Sequence, residues 1–224
     1  MSAPRNSVLV AIAVVMASLF ASCSSSDDDF KYAQMVAEMC DAYSSPAKSL
    51  VYAVADDDRR IDFESSLPAS WATKSDTLYR AILYYNKVEG STKVRPLTAE
   101  RVFVLNPVPL SESQAKDECD PLALRAAWYA KNGKYLNLQL AVKAGAVDDD
   151  ATRQTIGMVC DTIMRSAAGD RYYYRIVHNQ NGVPAFYSVD VYASVPTSQL
   201  QKGDTLTLTV PTWEGVQNKN YIKQ

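Results

Sequence analysis

The stretch YLNLQLAV, Tyr135 to Val142, decides the fold. Leu136, Leu138, Leu140 and Val142 alternate with Asn137, Gln139 and Ala141. A period of two puts each set on its own face of an extended chain, so the spacing predicts a half-buried β-strand. Just upstream, Asn132-Gly133 marks a tight turn. Downstream, DTLTLTV repeats the pattern, with Leu206, Leu208 and Val210 on one side and Thr205, Thr207 and Thr209 on the other. Between these segments, RYYYRIV and AFYSVDVYASV flank HNQNGVP. Its Asn181-Gly182 pair predicts a hairpin turn, because both residue types tolerate positive φ. Short strands joined by such turns predict a sandwich or a barrel. Thr155–Met164 (TIGMVCDTIM) alternates as a strand, yet also sets Ile156, Val159, Cys160 and Ile163 on one helical face. Its strand neighbours favour strand.

Working outward, NPVPLSESQAKDECDP, Asn106 to Pro121, separates two apolar-patterned halves. Proline removes a backbone donor and restricts its predecessor, so the segment reads as a linker. The expected division is residues 31–105, a linker at 106–121, and 122–224. In the first half, LVYAVA, TLYRAILYY and ERVFVL read as strands, and SLPASWATKSD as a short helix or loop. KYAQMVAEMCDAY is different. Tyr32, Met35, Val36, Met39, Cys40 and Tyr43 fall at helical spacing, in a composition that favours helix.

The N-terminus reads as an address. Arg5 is the only charged side chain in residues 1–22, and Val8 to Phe20 is almost wholly apolar. That run is shorter than the roughly 20 apolar residues of a membrane-spanning helix. A positive start, an apolar core and small residues before a cut predict a secretory signal over residues 1–22. Ala21-Ser22-Cys23 resembles the bacterial lipobox, with Phe20 where a branched aliphatic residue is usual. The resemblance makes Cys23 the lipid-attachment residue and the membrane, reached through an N-terminal lipid anchor, the first partner. Ser24, Ser25, Ser26, Asp27, Asp28 and Asp29 have nothing to bury, so residues 23–30 read as a flexible acidic tether. The same six residues resemble the surface-export signal of Bacteroidota lipoproteins, which implies an outer-membrane location facing the cell exterior.

Composition and motifs exclude more than they assign. Net charge is −2 and the pI is about 5.5, which argues against nucleic acid as a partner. Beyond Cys23, the chain has Cys40, Cys119 and Cys160 without CxxC pairing, so no zinc site and no cofactor are expected. The odd number leaves at least one thiol unpaired within the chain. Asp56–Asp58 and Asp148–Asp150 lack the glycine and distal glutamate of a calcium loop and read as turns or solvated runs. His178, the single histidine, reads as a solvent-facing strand end. No GxSxG elbow is present, and no catalytic residue is assigned. Tyr172–Tyr174 and Tyr84-Tyr85 could present rings to a sugar or peptide, although strand burial accounts for them equally. A cleft between the halves is the expected ligand site, with Thr98, Arg101 and Trp128 flanking the linker in sequence.

The order of CSSSDDD, ADDDRRIDF, LYRAILYYNKVEG, AWYAKNGKYLNLQLAV and LTLTVPTWEG resembles the NigD-like family of Bacteroidota lipoproteins. The resemblance implies an all-β protein, an N-terminal OB-like barrel followed by a C-terminal β-sandwich. It makes Tyr32–Tyr43 the first barrel strand, against the helical spacing. The family has no established enzymatic activity. The expected function is therefore a non-enzymatic cell-surface lipoprotein that binds a protein or glycan partner or acts as an accessory module. The alternatives are a glycan-binding component of an outer-membrane uptake system and, more distantly, a secreted hydrolase.

Overall fold

The computed structural model describes residues 35–146 and 153–224. Cys23, Ser24–Asp29 and Asp148–Asp150 lie outside the described residues. Those described form fourteen strands and no helix.

Five strands close a barrel. They are β1 (Met35–Ser44), β2 (Ser49–Ala55), β3 (Arg60–Pro68), β4 (Thr77–Lys87) and β5 (Val94–Arg101), in the order β1-β2-β3-β5-β4. Small side chains at Cys40, Ala42, Ala53 and Ala81 share the interior with Leu50, Ile61, Phe63, Leu83 and Tyr85. A five-stranded interior is narrow, so alternating small and large residues fill it without voids. β1 resolves the conflict over its segment. Its buried residues are Cys40, Ala42 and Ser44, a period of two carried by small side chains. Met35 is exposed, and Met39 and Tyr43 are only partly buried, so the larger apolar residues that suggested a helix are not the core set.

The remaining strands form two sheets packed face to face. One has the order β6-β12-β9-β8, from Phe103–Val104, Tyr187–Pro196, Tyr135–Ala144 and Ala123–Tyr129. The other has the order β14-β13-β11-β10-β7, from Gly215–Ile222, Thr205–Thr212, Arg171–Asn179, Thr155–Met164 and Pro107–Pro109. Leu136, Leu138, Leu140 and Val142 share one core cluster with Tyr172, Tyr174, Ile176, Leu206, Leu208 and Val210. Each fully buried leucine contributes about 2 kcal/mol. The protein is thus an all-β barrel followed by a β-sandwich.

Three expectations need correction. ERVFVL is not one strand: β5 ends at Arg101, and Phe103–Val104 begins again in the sandwich. The Asn181-Gly182 turn has positive φ at both residues (46° and 73°), yet the strands on either side do not pair. β11 joins one sheet and β12 the other, so the turn crosses between sheets. Finally, the segment read as a linker supplies β7. Pro107, Val108 and Pro109 run parallel to Met158, Val159 and Cys160 at the sheet edge, where missing proline N–H groups are tolerated. Its far end is tied as well, by Asp120 N–H donating to His178 O (2.9 Å) and a bridge between Cys119 and His178.

Within residues 106–121, the turns between these ties are the part most open to protease. Limited proteolysis should cut first within 111–117, where most residues are exposed. Because β6 and β7 complete the two sandwich sheets, the nicked protein should elute from gel filtration as one species. Two separately eluting fragments would contradict this arrangement.

Candidate functional site

A charge is buried at the seam between barrel and sandwich. Arg80 lies on β4, flanked by Leu78, Ala81, Ile82 and Leu83, and its side chain is 1% exposed. A strand otherwise rich in apolar residues carries it into the seam. Its Nε donates to Ser194 Oγ (3.0 Å), and its Nη2 donates to Asp56 Oδ2 (2.8 Å) and Asn137 Oδ1 (2.9 Å). Nη1 lies 2.7 Å from Asp56 Oδ1 and 3.5 Å from Asp41 Oδ1. The guanidinium stacks over Tyr135, 4.2 Å from the ring centroid. Asn137 Nδ2 donates to Asp56 Oδ2 (2.7 Å), and Ser194 Oγ donates to Asn137 Oδ1 (2.7 Å). Asp41 and Asp56 come from the barrel, Asn137 and Ser194 from the sandwich. Burial raises the Asp41 carboxyl pKa above the ordinary range, with Arg80 opposing. The planar fork of arginine suits this work, since it satisfies several acceptors in one plane.

The turn after β2 adds a second tie. Asp58 adopts φ 62° and accepts from Asn132 Nδ2 (3.1 Å) and Lys134 Nζ (2.7 Å), while Asn132 N–H donates to Asp56 O (2.7 Å). The Asp56–Asp58 run is therefore a turn, as expected, but Asp56 points inward to Arg80 rather than to solvent.

Beside this seam lies a groove of about 400 Å³. Its walls are Ala37–Met39 of β1, Ala55–Asp57, and Trp128–Lys131 at the end of β8. Trp128 is 39% exposed there, and Glu38 and Asp57 line the same groove. Glu38 accepts two hydrogen bonds from Arg59 Nη2 (2.8 and 2.7 Å), which fixes its carboxylate. Of the three residues named beside the linker, Trp128 lines the groove. Thr98 and Arg101 sit on β5, paired with Tyr84 and Ala81, and do not. The groove presents an indole, two carboxylates and an ammonium group at Lys131.

Other sequence candidates fall elsewhere. Tyr172, Tyr174 and Tyr85 are buried in the two cores, so the tyrosine runs make no continuous ligand face. His178 is fully buried, not solvent-facing. Its Nδ1 meets Asp120 O at 3.1 Å and its Nε2 meets Gln154 Oε1 at 3.0 Å. Gln154 is held in that orientation because its Nε2 donates to Lys143 O (2.6 Å). The ring thus fastens the former linker and the start of β10 to β11. Cys40, Cys119 and Cys160 are all free thiols; burial pushes that of Cys40 up to about 12.

No family model matches the sequence, and no curated protein matches it. Solved structures do share its fold. A NigD-like immunity protein from Bacteroides caccae is 17% identical, with a TM-score of 0.63 over 84% of this chain and 97% of that one. A candidate toxin-related protein from Parabacteroides distasonis is 16% identical, with a TM-score of 0.60 over 84% and 92%. A candidate lipoprotein from Bacteroides fragilis is 12% identical, with a TM-score of 0.56 over 85% and 98%. The architecture implied by the NigD-like resemblance is the one the chain adopts.

Proposed function

We propose, starting from the fold shared with a NigD-like immunity protein and a candidate lipoprotein, that this chain is a lipid-anchored outer-membrane protein that binds a partner and performs no chemistry of its own. Cys23 carries the anchor, and Ser24–Asp29 directs display on the cell exterior. The observation that supports a binding role is the groove at the seam. It offers a part-exposed ring and two carboxylates, that of Glu38 held by Arg59. A protein partner, in accessory or immunity work, is the leading reading. A glycan is the second, favoured specifically by Trp128 sharing the groove with Glu38 and Asp57, since sugar rings stack on indole while their hydroxyls donate to carboxylates.

Cell fractionation tests the anchor. Cys23→Ala should move the protein from the detergent phase to the soluble fraction. Changing Asp27, Asp28 and Asp29 to alanine should leave it membrane-bound but protected from protease on intact cells. A Cys23→Ala protein that stays in the detergent phase would refute the anchor.

Trp128→Ala tests the groove. On a glycan array or in crosslinking from intact cells, the variant should lose binding by about tenfold or more while melting near the wild type, since the ring is part-exposed. Saturable glycan binding lost in the variant selects the glycan reading; a protein crosslink lost in the variant selects the protein reading. Unchanged binding of both kinds would move the site elsewhere.

A further inference from the structure

The four-stranded sheet ends on an unguarded edge. Among the described residues, four strands lie at sheet edges: β6 and β8 in one sheet, β14 and β7 in the other. An edge presents a row of unpaired N–H and C=O groups, and proteins ordinarily blunt it with proline, charge or short length. β7 carries Pro107 and Pro109, and β6 is two residues long. β14 sets Lys219 opposite the fully buried Leu208, which puts a charged side chain on its inward face. β8, ALRAAWY, contains no proline. Its one charge, Arg125, sits at the bulge between Leu124 and Ala126. The Arg125 Nε lies 4.0 Å from Asp190 of β12, so the side chain leans back across the sheet and away from the edge. Beyond the bulge, Ala126–Tyr129 pair regularly with β9 and end at the seam groove. β1 brings a second unpaired stretch to that groove. β2 pairs with it only as far as Cys40, so Ala37 and Glu38 run past the end of their partner.

Resting on the reading of the seam groove as a protein-binding site, we propose that the partner adds one extended strand to the outer edge of β8. Its backbone pairs with Ala126–Tyr129, and its end enters the groove beside Trp128. Only another extended backbone supplies donors and acceptors in alternation at strand spacing, which is the chemistry of strand addition. The methyl side chains of Ala126 and Ala127 leave the backbone between them uncovered. The groove has one wall from the barrel and one from the sandwich, so a single chain segment enters it more readily than the edge of a second folded copy.

The test uses the full chain carrying Cys23→Ala, with a displayed library of random dodecapeptides as the probe. Selected peptides should bind saturably and slow the exchange of alternate β8 amides. N-methylation along a selected peptide should weaken binding about tenfold at every second position and little between them. Ala126→Pro and Ala127→Pro remove N–H groups that point to opposite sides of the strand. The variant that melts like wild type is the one whose N–H points outward, and it should lose the peptide about tenfold. No saturable binder, methylation sensitivity without a period of two, or a stable proline variant that binds like wild type would overturn the proposal. A crosslinked protein partner lost in Trp128→Ala but kept in that proline variant would overturn it and leave the groove reading in place. Peptide binding lost in the proline variant but kept in Trp128→Ala would support strand addition and remove Trp128 from the contact. Concentration-dependent dimers abolished by the proline variant would overturn the proposal and assign the edge to a second copy of this chain.

Discussion

Arg80→Ala should destabilise the protein by about 3 to 5 kcal/mol, the range for removing one partner of a buried ion pair. The substitution leaves the mostly buried Asp56 and Asp41 without their cation and strips Ser194 and Asn137 of a shared donor. For a chain of this size that corresponds to a melting temperature lower by roughly 10 °C. Arg80→Lys should fall short of rescue, because a single ammonium cannot reach Ser194, Asn137 and both Asp56 oxygens in one plane. The seam joins barrel to sandwich, so Arg80→Ala should also split one calorimetric transition into two. Loss of less than about 1 kcal/mol, the typical value for a solvent-exposed pair, would show that water reaches the seam.

His178→Leu should cost about 1 to 3 kcal/mol, although leucine is apolar and fits a buried site. The ring is fully buried and meets two oxygens, Asp120 O and Gln154 Oε1. Leucine offers an N–H to neither, so the oxygen that accepts from the ring loses its donor, and such a loss costs about 1 to 3 kcal/mol. Hydrogen exchange should localise the damage. The Asp120 amide, which donates to His178 O, should lose protection along with the start of β10, while the barrel amides stay as protected as before. A variant within 0.5 kcal/mol of wild type, the usual range for surface substitutions, would show that the ring's contacts are dispensable.

These two residues also mark where the sequence stops being legible. The leucine alternation in Tyr135–Val142 and Thr205–Val210 identifies sandwich strands because burial on one face imposes a period of two on large side chains. β1 hides the same period, since its buried residues are Cys40, Ala42 and Ser44, and counting large apolar residues there follows the wrong face. β5 and β14 leave little hydrophobic trace: the first contains Pro96, and the second runs Val216, Gln217, Asn218, Lys219, Asn220 at an edge. Turn chemistry at Asn181-Gly182 fixes backbone angles locally, but which strand pairs with which is decided by tertiary packing. At the candidate site, Trp128 was within reach as an aromatic beside the division between halves. Arg80 left one usable sign, a lone charge in the apolar strand TLYRAIL. Its partners come from four separate segments, and no spacing rule connects them. His178 left none, because a histidine near a turn is buried or exposed according to what crosses it.

The placement of Phe103–Val104 and Pro107–Pro109 governs the pace of assembly. These two short strands leave the barrel together and part at once, one to the edge of each sheet, where they meet strands some 50 to 90 residues further along the chain. β11 likewise waits for β13 to arrive in parallel after β12 has gone to the opposite sheet. Of the seven pairings in the sandwich, only β8-β9, β10-β11 and β13-β14 join neighbours in sequence, and the other four wait for distant strands. Loop closure must precede most of the contacts that reward it, which places refolding in the millisecond-to-second range of all-β domains. In that interval the part-exposed Val189 of β12 and both unfinished sheet edges face solvent together. The concentration at which the unfolded chain is released should therefore set how much of it reaches the native state.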